Sequence, residues 1–172
     1  EKYDPDVIHL HNIHGYYLHY PTLMRYLAYE YKGKIIWTFH DLWPITGHCP
    51  HYIAVNCNKW MTGCNHCPNK KRYPVSLGLD GSRKNYETKK ELFSLLSNLT
   101  ITVPSEWMAS QVKQSFMGKY PVEVIYNGIN TAVFDHNRLA VDSYTESSRC
   151  VDKTAWSDKK ILLSVASIWD ER

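Results

Sequence analysis

This 172-residue chain lacks the features that mark membrane, fibrous or disordered proteins. No stretch approaches the roughly 20 apolar residues that a membrane-spanning helix requires. The opening Glu1-Lys2-Tyr3-Asp4-Pro5-Asp6 has neither the basic region nor the apolar run of a signal peptide, so the expected location is cytoplasmic, or peripheral at a membrane. Charge of one sign is scarce. Twenty Lys+Arg against 17 Asp+Glu leave +3 with neutral histidines, too little to indicate a nucleic-acid binder on global charge. Internal repeats and low-complexity tracts are absent. A charged fraction of 22% with 13% aromatics argues against long disorder, and 44% hydrophobic residues over this length suit one domain or slightly more. What the chain has in abundance is tyrosine and tryptophan, 13 and 6 residues.

Two β-branched runs, Asp6 to His11 and Lys34 to His40, read as strands, and between them Tyr20, Leu23, Met24, Leu27 and Tyr31 recur at helical spacing. Pro21 is tolerable there because it falls in the first turn, and Gly33 is the stop. After a long interruption the pattern resumes. A basic amphipathic helix runs from about residue 83 and ends through Leu92, Leu95, Leu96 and Leu99. Thr100 to Val103 is a strand, Pro104-Ser105 opens a helix with Met108, Val112 and Phe116, and Val122 to Ile125 is a strand. Alternating elements of these lengths predict a Rossmann-like parallel sheet with helices on both faces. In such sheets ligands sit beyond the carboxyl ends of the strands. That singles out His11 to Gly15, His40 to Gly47, Pro104 to Glu106 and Asn127 to Phe134.

The interruption carries its own chemistry. Four of the five cysteines fall within 19 positions, as Cys49-x7-Cys57-x6-Cys64-x2-Cys67. A C-x-x-C knuckle suits two thiolates on one tetrahedral ion, which makes structural zinc the expected occupant. The segment from Asp41 to Leu79 is far longer than the usual connection of roughly 4 to 6 residues, and a bound ion would order it. Four thiolates, or three with an imidazole from His48, His51 or His66, would serve; four closed ligands leave no open position for catalysis. Two disulfides are the competing reading, disfavoured in a reducing cytosol. Cys150 reads as an ordinary thiol. Between residues 59 and 90, eight bases (Lys59, Lys70, Lys71, Arg72, Arg83, Lys84, Lys89, Lys90) face only Asp80 and Glu87, a patch suited to phosphates or an anionic membrane surface.

His9 and His11 share a strand face, and His11, Asn12, His14 and Gly15 follow at its carboxyl end, as His40-Asp41 does on the next strand, so both turns should line one cleft. Ser105 and Glu106 open a helix whose N-terminus favours an anion, although Ser105 also suits a plain N-cap. Asn127-Gly128 is a turn signal, with Asn130 just beyond.

Taken in order, Asp6-Val7-Ile8-His9-Leu10-His11, Trp37-Thr38-Phe39-His40-Asp41, Thr102-Val103-Pro104-Ser105-Glu106-Trp107 and Val124-Ile125-Tyr126-Asn127-Gly128-Ile129-Asn130 with Phe134 resemble the latter part of the N-terminal domain of a retaining glycosyltransferase of family 4, of GT-B fold. The insertion, with His48-Cys49, Lys59-Trp60, Thr62-Gly63-Cys64 and Cys67-Pro68, resembles a bacterial subgroup working on capsule, lipopolysaccharide or exopolysaccharide. The resemblance implies residues 1–134 as a partial acceptor-side domain with the insertion at 41–79, a linker over 135–158, and the first strand of a truncated donor domain over 159–172. It also implies a nucleotide-sugar donor, a saccharide or lipid-linked acceptor, no catalytic metal, and no nucleic-acid partner. His40 matches the family histidine that contacts the donor sugar. His11, Asn12, His14 and Gly15 would shape the acceptor side, with Asp41, Ser105, Glu106, Asn127, Gly128 and Asn130 around the cleft. The family's glycine-rich first loop and paired glutamates are missing, and Ser167 stands about where an arginine is common. The expectation is therefore a fragment that is inactive alone. The rival reading, a zinc-stabilised module for nucleic acid or a protein partner, explains only the insertion.

Overall fold

A computed structural model describes residues 4–15, 17–76 and 78–132. The chain divides into two compact units, Glu1–Gly128 and Ile129–Arg172. The expected linker, the strand over 159–172, Phe134, Cys150 and Ser167 lie outside the described residues. The first unit runs β1 (Val7–Leu10), α1 (Tyr20–Tyr29), β2 (Lys34–Thr38), the insertion, α2 (Ser82–Phe93), β3 (Leu99–Val103), α3 (Glu106–Gln114) and β4 (Val122–Val124).

All three strand pairs are parallel, in the order β1-β2-β3-β4. Leu10 lies beside Trp37, Trp37 beside Ile101, and Ile101 beside Val122, so one row crosses the whole sheet. Alternation along the strands sends Leu10, Ile35, Trp37, Phe39, Leu99, Ile101 and Val103 into the core. Each such side chain contributes roughly 1.5–3 kcal/mol when fully buried. The opposite face carries His9, Thr38 and Thr102, tied in a row by His9 Nε2···Thr38 Oγ1 (2.8 Å) and Thr38 Oγ1···Thr102 Oγ1 (2.6 Å).

The expectation of helices on both faces is corrected by the strand order. The strands advance in one direction across the sheet, and right-handed crossovers from such an order place every connection on the same side. Direct packing of α1 on α2 agrees with that arrangement, as does the burial of alternate residues in β2.

Pro21 does sit in the first turn of α1, and Met24 and Leu27 are buried. The helix expected to end through Leu99 stops earlier. α2 closes at Phe93, Leu95 is exposed, and Leu99 opens β3, where pairing with Ile35 claims it for the sheet. The Asn127-Gly128 signal forms no turn, and Gly128 does not take a positive φ.

The insertion is a packed structure of three short 3₁₀ turns, Trp43–Ile45, Tyr52–Val55 and Lys59–Met61. Trp43, Ile45, Tyr52 and Trp60 join the main core, with Tyr52 stacked on Trp60 at 5.1 Å. Helix α2 holds it from the other side: Tyr86 Oη donates to Trp60 O at 2.9 Å, and Asp80 accepts from the N–H groups of Cys67 (2.8 Å) and Ser82 (2.9 Å). At Gly47 the insertion meets the start of α2 so closely that a Cβ would lie 2.1 Å from Ser82 O and 2.7 Å from the Cys64 Cβ. Both neighbours are fixed, so Gly47→Ala is expected to destabilise the fold by about 1–3 kcal/mol. Urea denaturation of the two proteins side by side measures the difference.

Candidate active site

Parallel pairing brings the carboxyl ends of β1 and β2 to one edge, and the residues that follow them interlock. Trp37 Nε1 donates to His11 O at 3.0 Å, seating the turn after β1 on β2. His11 Nδ1 and His40 Nε2 are 2.9 Å apart with their rings stacked, so one imidazole donates and the other accepts. His40 is exposed. His9 lies against the same pair, its ring 4.2 Å from that of His11. Desolvation lowers the pKa of His9, helped by the charge that His11 and His40 would carry.

The second pair is His14 with Asp41. His14 Nε2 donates to Asp41 Oδ2 at 2.8 Å, and Asp41 Oδ1 accepts from the Trp43 N–H at 2.8 Å. Both carboxylate oxygens are engaged. Burial would raise the pKa of Asp41, but the hydrogen bonds from His14 and Trp43 outweigh it and hold the carboxyl below its ordinary value. A carboxylate on Nε2 fixes the tautomer of neutral His14 and leaves Nδ1 as its acceptor, 3.4 Å from Tyr73 Oη. Such an imidazole can take a proton or orient a hydroxyl.

Beside His14 lies a cavity of about 520 Å3. Gly15 lines it too, at φ +121°, a conformation that side chains other than glycine rarely adopt. Trp43, in the strand-end segment after β2, adds to the lining, and the other walls come from segments that carry no strand-end motif: Tyr20 and Pro21 of α1, residues 74–76 of the insertion, and Lys84, Asn85 and Thr88 of α2. Their signal in the sequence is the spacing of Lys84 and Thr88 on one helical face, which reads equally as a solvated surface. The structure thus joins His11 to His40 and His14 to Asp41, yet only His14 and Gly15 of the predicted set line this cavity.

The remaining candidates stand apart. Asn12 is exposed, and its carbonyl accepts from Tyr17 Oη. Ser105 is the N-cap of α3, its Oγ accepting from the Met108 N–H at 3.2 Å, and Glu106 is exposed in the first turn. Asn127 and Gly128 are exposed beyond β4. Asn130 belongs to the second unit, where its Oδ1 accepts from the Ala132 N–H.

Cys49, Cys57, Cys64 and Cys67 are free thiols that line one small cavity. As placed, no three His, Cys, Asp or Glu side chains among the described residues converge as a metal-binding group. Desolvation pushes the Cys49 thiol up to about 12 and raises Cys64 and Cys67 as well. The basic stretch is exposed except at Lys89 and the half-buried Lys70, and some of its charges are engaged within the chain. Lys89 is buried, Arg83 pairs with Glu87 at 3.0 Å, and Lys59 donates to the carbonyls of Asn65 and His66.

A parallel sheet with polar pairs at its carboxyl edge, beside a cavity, defines an α/β ligand-binding domain. Residues 1–133 match the family described as Glycosyltransferase Family 4, and the chain belongs to that family. It is also 31% identical over 134 residues to WcaC of Escherichia coli (strain K12), whose name describes a glycosyl transferase of colanic acid biosynthesis. That match covers 74% of this chain and 32% of the relative, so the chain spans about a third of the relative's length. No solved structure matches it.

The His14–Asp41 pair makes stability depend on pH. Because the folded pKa of Asp41 is depressed, its contribution is fully present above the unfolded value near 3.8 and is lost as pH falls through the folded value. Asp41→Asn is expected to cost about 1.5–3 kcal/mol near neutral pH, with the deficit shrinking below that window. Denaturant midpoints of both proteins across the acid range measure it.

Proposed function

We propose that this chain is the acceptor-side part of a bacterial transferase that moves a sugar from a nucleotide-sugar donor to a saccharide or lipid-linked acceptor, with retention of configuration, in the synthesis of capsule, lipopolysaccharide or exopolysaccharide. The observation that carries this reading is the pair of hydrogen-bonded couples, His11–His40 and His14–Asp41, at one edge of the sheet beside a 520 Å3 cavity. The cavity has room for a sugar unit. Its tyrosine, tryptophan and proline walls suit the apolar face of a pyranose, and His14, Lys84, Asn85 and Thr88 offer hydrogen bonds to its hydroxyls.

In this reading the acceptor enters beside His14, whose Nδ1 orients the attacking hydroxyl, while exposed His40 meets the donor sugar and His11 holds its ring. The donor sugar in this reading is held largely by a second domain, reached through the linker expected over 135–158. The chemistry uses no metal and no nucleic acid. The family membership and the name of the colanic acid relative support the reaction class and the polysaccharide product.

In this reading the protein works in the cytoplasm, against the inner face of the membrane. Among the described residues no helix is long and apolar enough to cross one. Lys70, Lys71 and Lys90 give an anionic surface something to attract.

In the intact protein His40→Ala is expected to lower sugar transfer about 100-fold or more while the circular dichroism spectrum is retained. Radiolabelled nucleotide sugars with membrane lipid extract supply the assay, and unchanged turnover would take His40 out of the site. For the membrane contact, the intact protein is expected to float with vesicles containing phosphatidylglycerol and to sediment from neutral ones. Charge reversal at Lys70 and Lys71 should release it.

A further inference from the structure

We propose that Cys49, Cys57, Cys64 and Cys67 together bind one zinc ion, and that the buried ammonium of Lys89 is the counter-charge of the resulting thiolate complex. This goes beyond the transfer reaction and does not depend on it.

Three observations converge on the cavity. First, it is lined by all four thiols, and the volume open to a water-sized sphere is about 10 Å3, room for one small ion. The sulfurs must draw together to reach ligand spacing, since as placed no metal-binding group forms among the described residues. The loop is already shaped for that closure. His66, inside the Cys64–Cys67 knuckle, has φ +44°, and Gly63 before it has φ +147°.

Second, hydrogen-bond donors surround the sulfurs. The Gly47 N–H points at Cys64 Sγ from 3.1 Å, and Asn69 bonds Cys49 through its side chain and Cys67 through its backbone. His48 Nε2 and Trp60 Nε1 are buried without hydrogen-bond partners, and both residues line this cavity. His48 is 8% exposed and Trp60 1%. The Trp60 indole N–H can only donate, so leaving it without an acceptor is costly, and anionic sulfur would satisfy it; His48 Nε2 donates or accepts according to its tautomer.

Third, Lys89 buries its amine at the edge of this cavity, hydrogen-bonded to Thr46, which lines it. It is 1% exposed, and its Nζ donates to Trp43 O (2.8 Å) and Thr46 O (2.9 Å) and sits 3.3 Å from the centroid of the Trp43 ring. No carboxylate pairs with it within salt-bridge distance among the described residues. Burial pushes the Lys89 pKa well below the ordinary lysine range, and an anionic cluster beside it would favour the charged form. Four thiolates around a divalent ion carry two negative charges, and the charges that act on Lys89 are those of Cys64, Asp41 and Cys49. The donor set is that of a closed tetrahedral zinc site, which leaves no position for a catalytic water. Its work is to fix the insertion, which supplies Asp41 and Trp43 to the site above.

The test uses the intact protein, purified reduced and without chelator, and needs no transfer assay. Elemental analysis is expected to give about one zinc per chain, released when a mercurial titrates four thiols. Cobalt substitution should produce the thiolate charge-transfer and intense visible bands of a tetrahedral site. Zinc should disappear in Cys64→Ser/Cys67→Ser and persist in Cys150→Ser. Lys89→Met, which keeps the volume and removes the charge, should weaken retention against a chromophoric chelator about tenfold or more. Metal-free chains with four freely reactive thiols, or two disulfides found in the native protein, would overturn the site. Unaltered zinc affinity in folded Lys89→Met would overturn the counter-charge.

Discussion

Parallel pairing in register is the constraint from which the site follows. Once Leu10 lies beside Trp37, the residues leaving β1 and β2 emerge at the same edge and at nearly the same height. His11 can then meet His40, and His14 can meet Asp41, although each pair is separated by more than 25 positions in the chain. An antiparallel arrangement of the same two segments would put their ends at opposite edges, and neither pair would form. The Trp37 indole N–H on His11 O makes the same point locally, because a core side chain of one strand pins the turn that follows its neighbour.

Around that edge the protein carries polar groups whose requirements are met to different degrees. Asp41 is satisfied on both oxygens, and His9, Thr38 and Thr102 satisfy one another across three strands. In the insertion and in the helix packed on it the balance is incomplete: His48 and Trp60 of the insertion and Ser82 of α2 each hold a buried atom without a partner, and α2 buries the Lys89 amine. Buried polar groups are normally paired. Two of the exceptions, His48 and Trp60, line the cavity of the four thiols, and they are part of the basis for the proposed zinc site.

The insertion links the two regions. It begins at Asp41 within the site, contributes Trp43 to the cavity wall, and is tied to α2 by Lys89, Tyr86 and Asp80. Helix α2 then supplies Lys84, Asn85 and Thr88 to the opposite wall. The cavity therefore lies between two elements whose relative position is set by buried hydrogen bonds to one ammonium group and by the close approach at Gly47. A change deep in the insertion can alter the cavity without touching it.

Much of this is legible in the order of the residues alone. β-branched runs bounded by proline and glycine locate the strands, the helical recurrence from Tyr20 locates α1, and four ordered strand-end motifs identify the family. These are local signals, carried by residues close in sequence, and so the chain by itself determined them. Tertiary structure decided the rest. Lys89 and Lys90 are identical as letters, and only the phase of α2 against Trp43 buries one and exposes the other. Leu99 fits a helical recurrence until β2 pairs with it, and helices on one face follow from strand order, which no window of sequence contains. Which histidine meets which partner is likewise a matter of strand register, because hydrogen bonds reach about 3 Å and sequence spacing fixes no distance across a sheet.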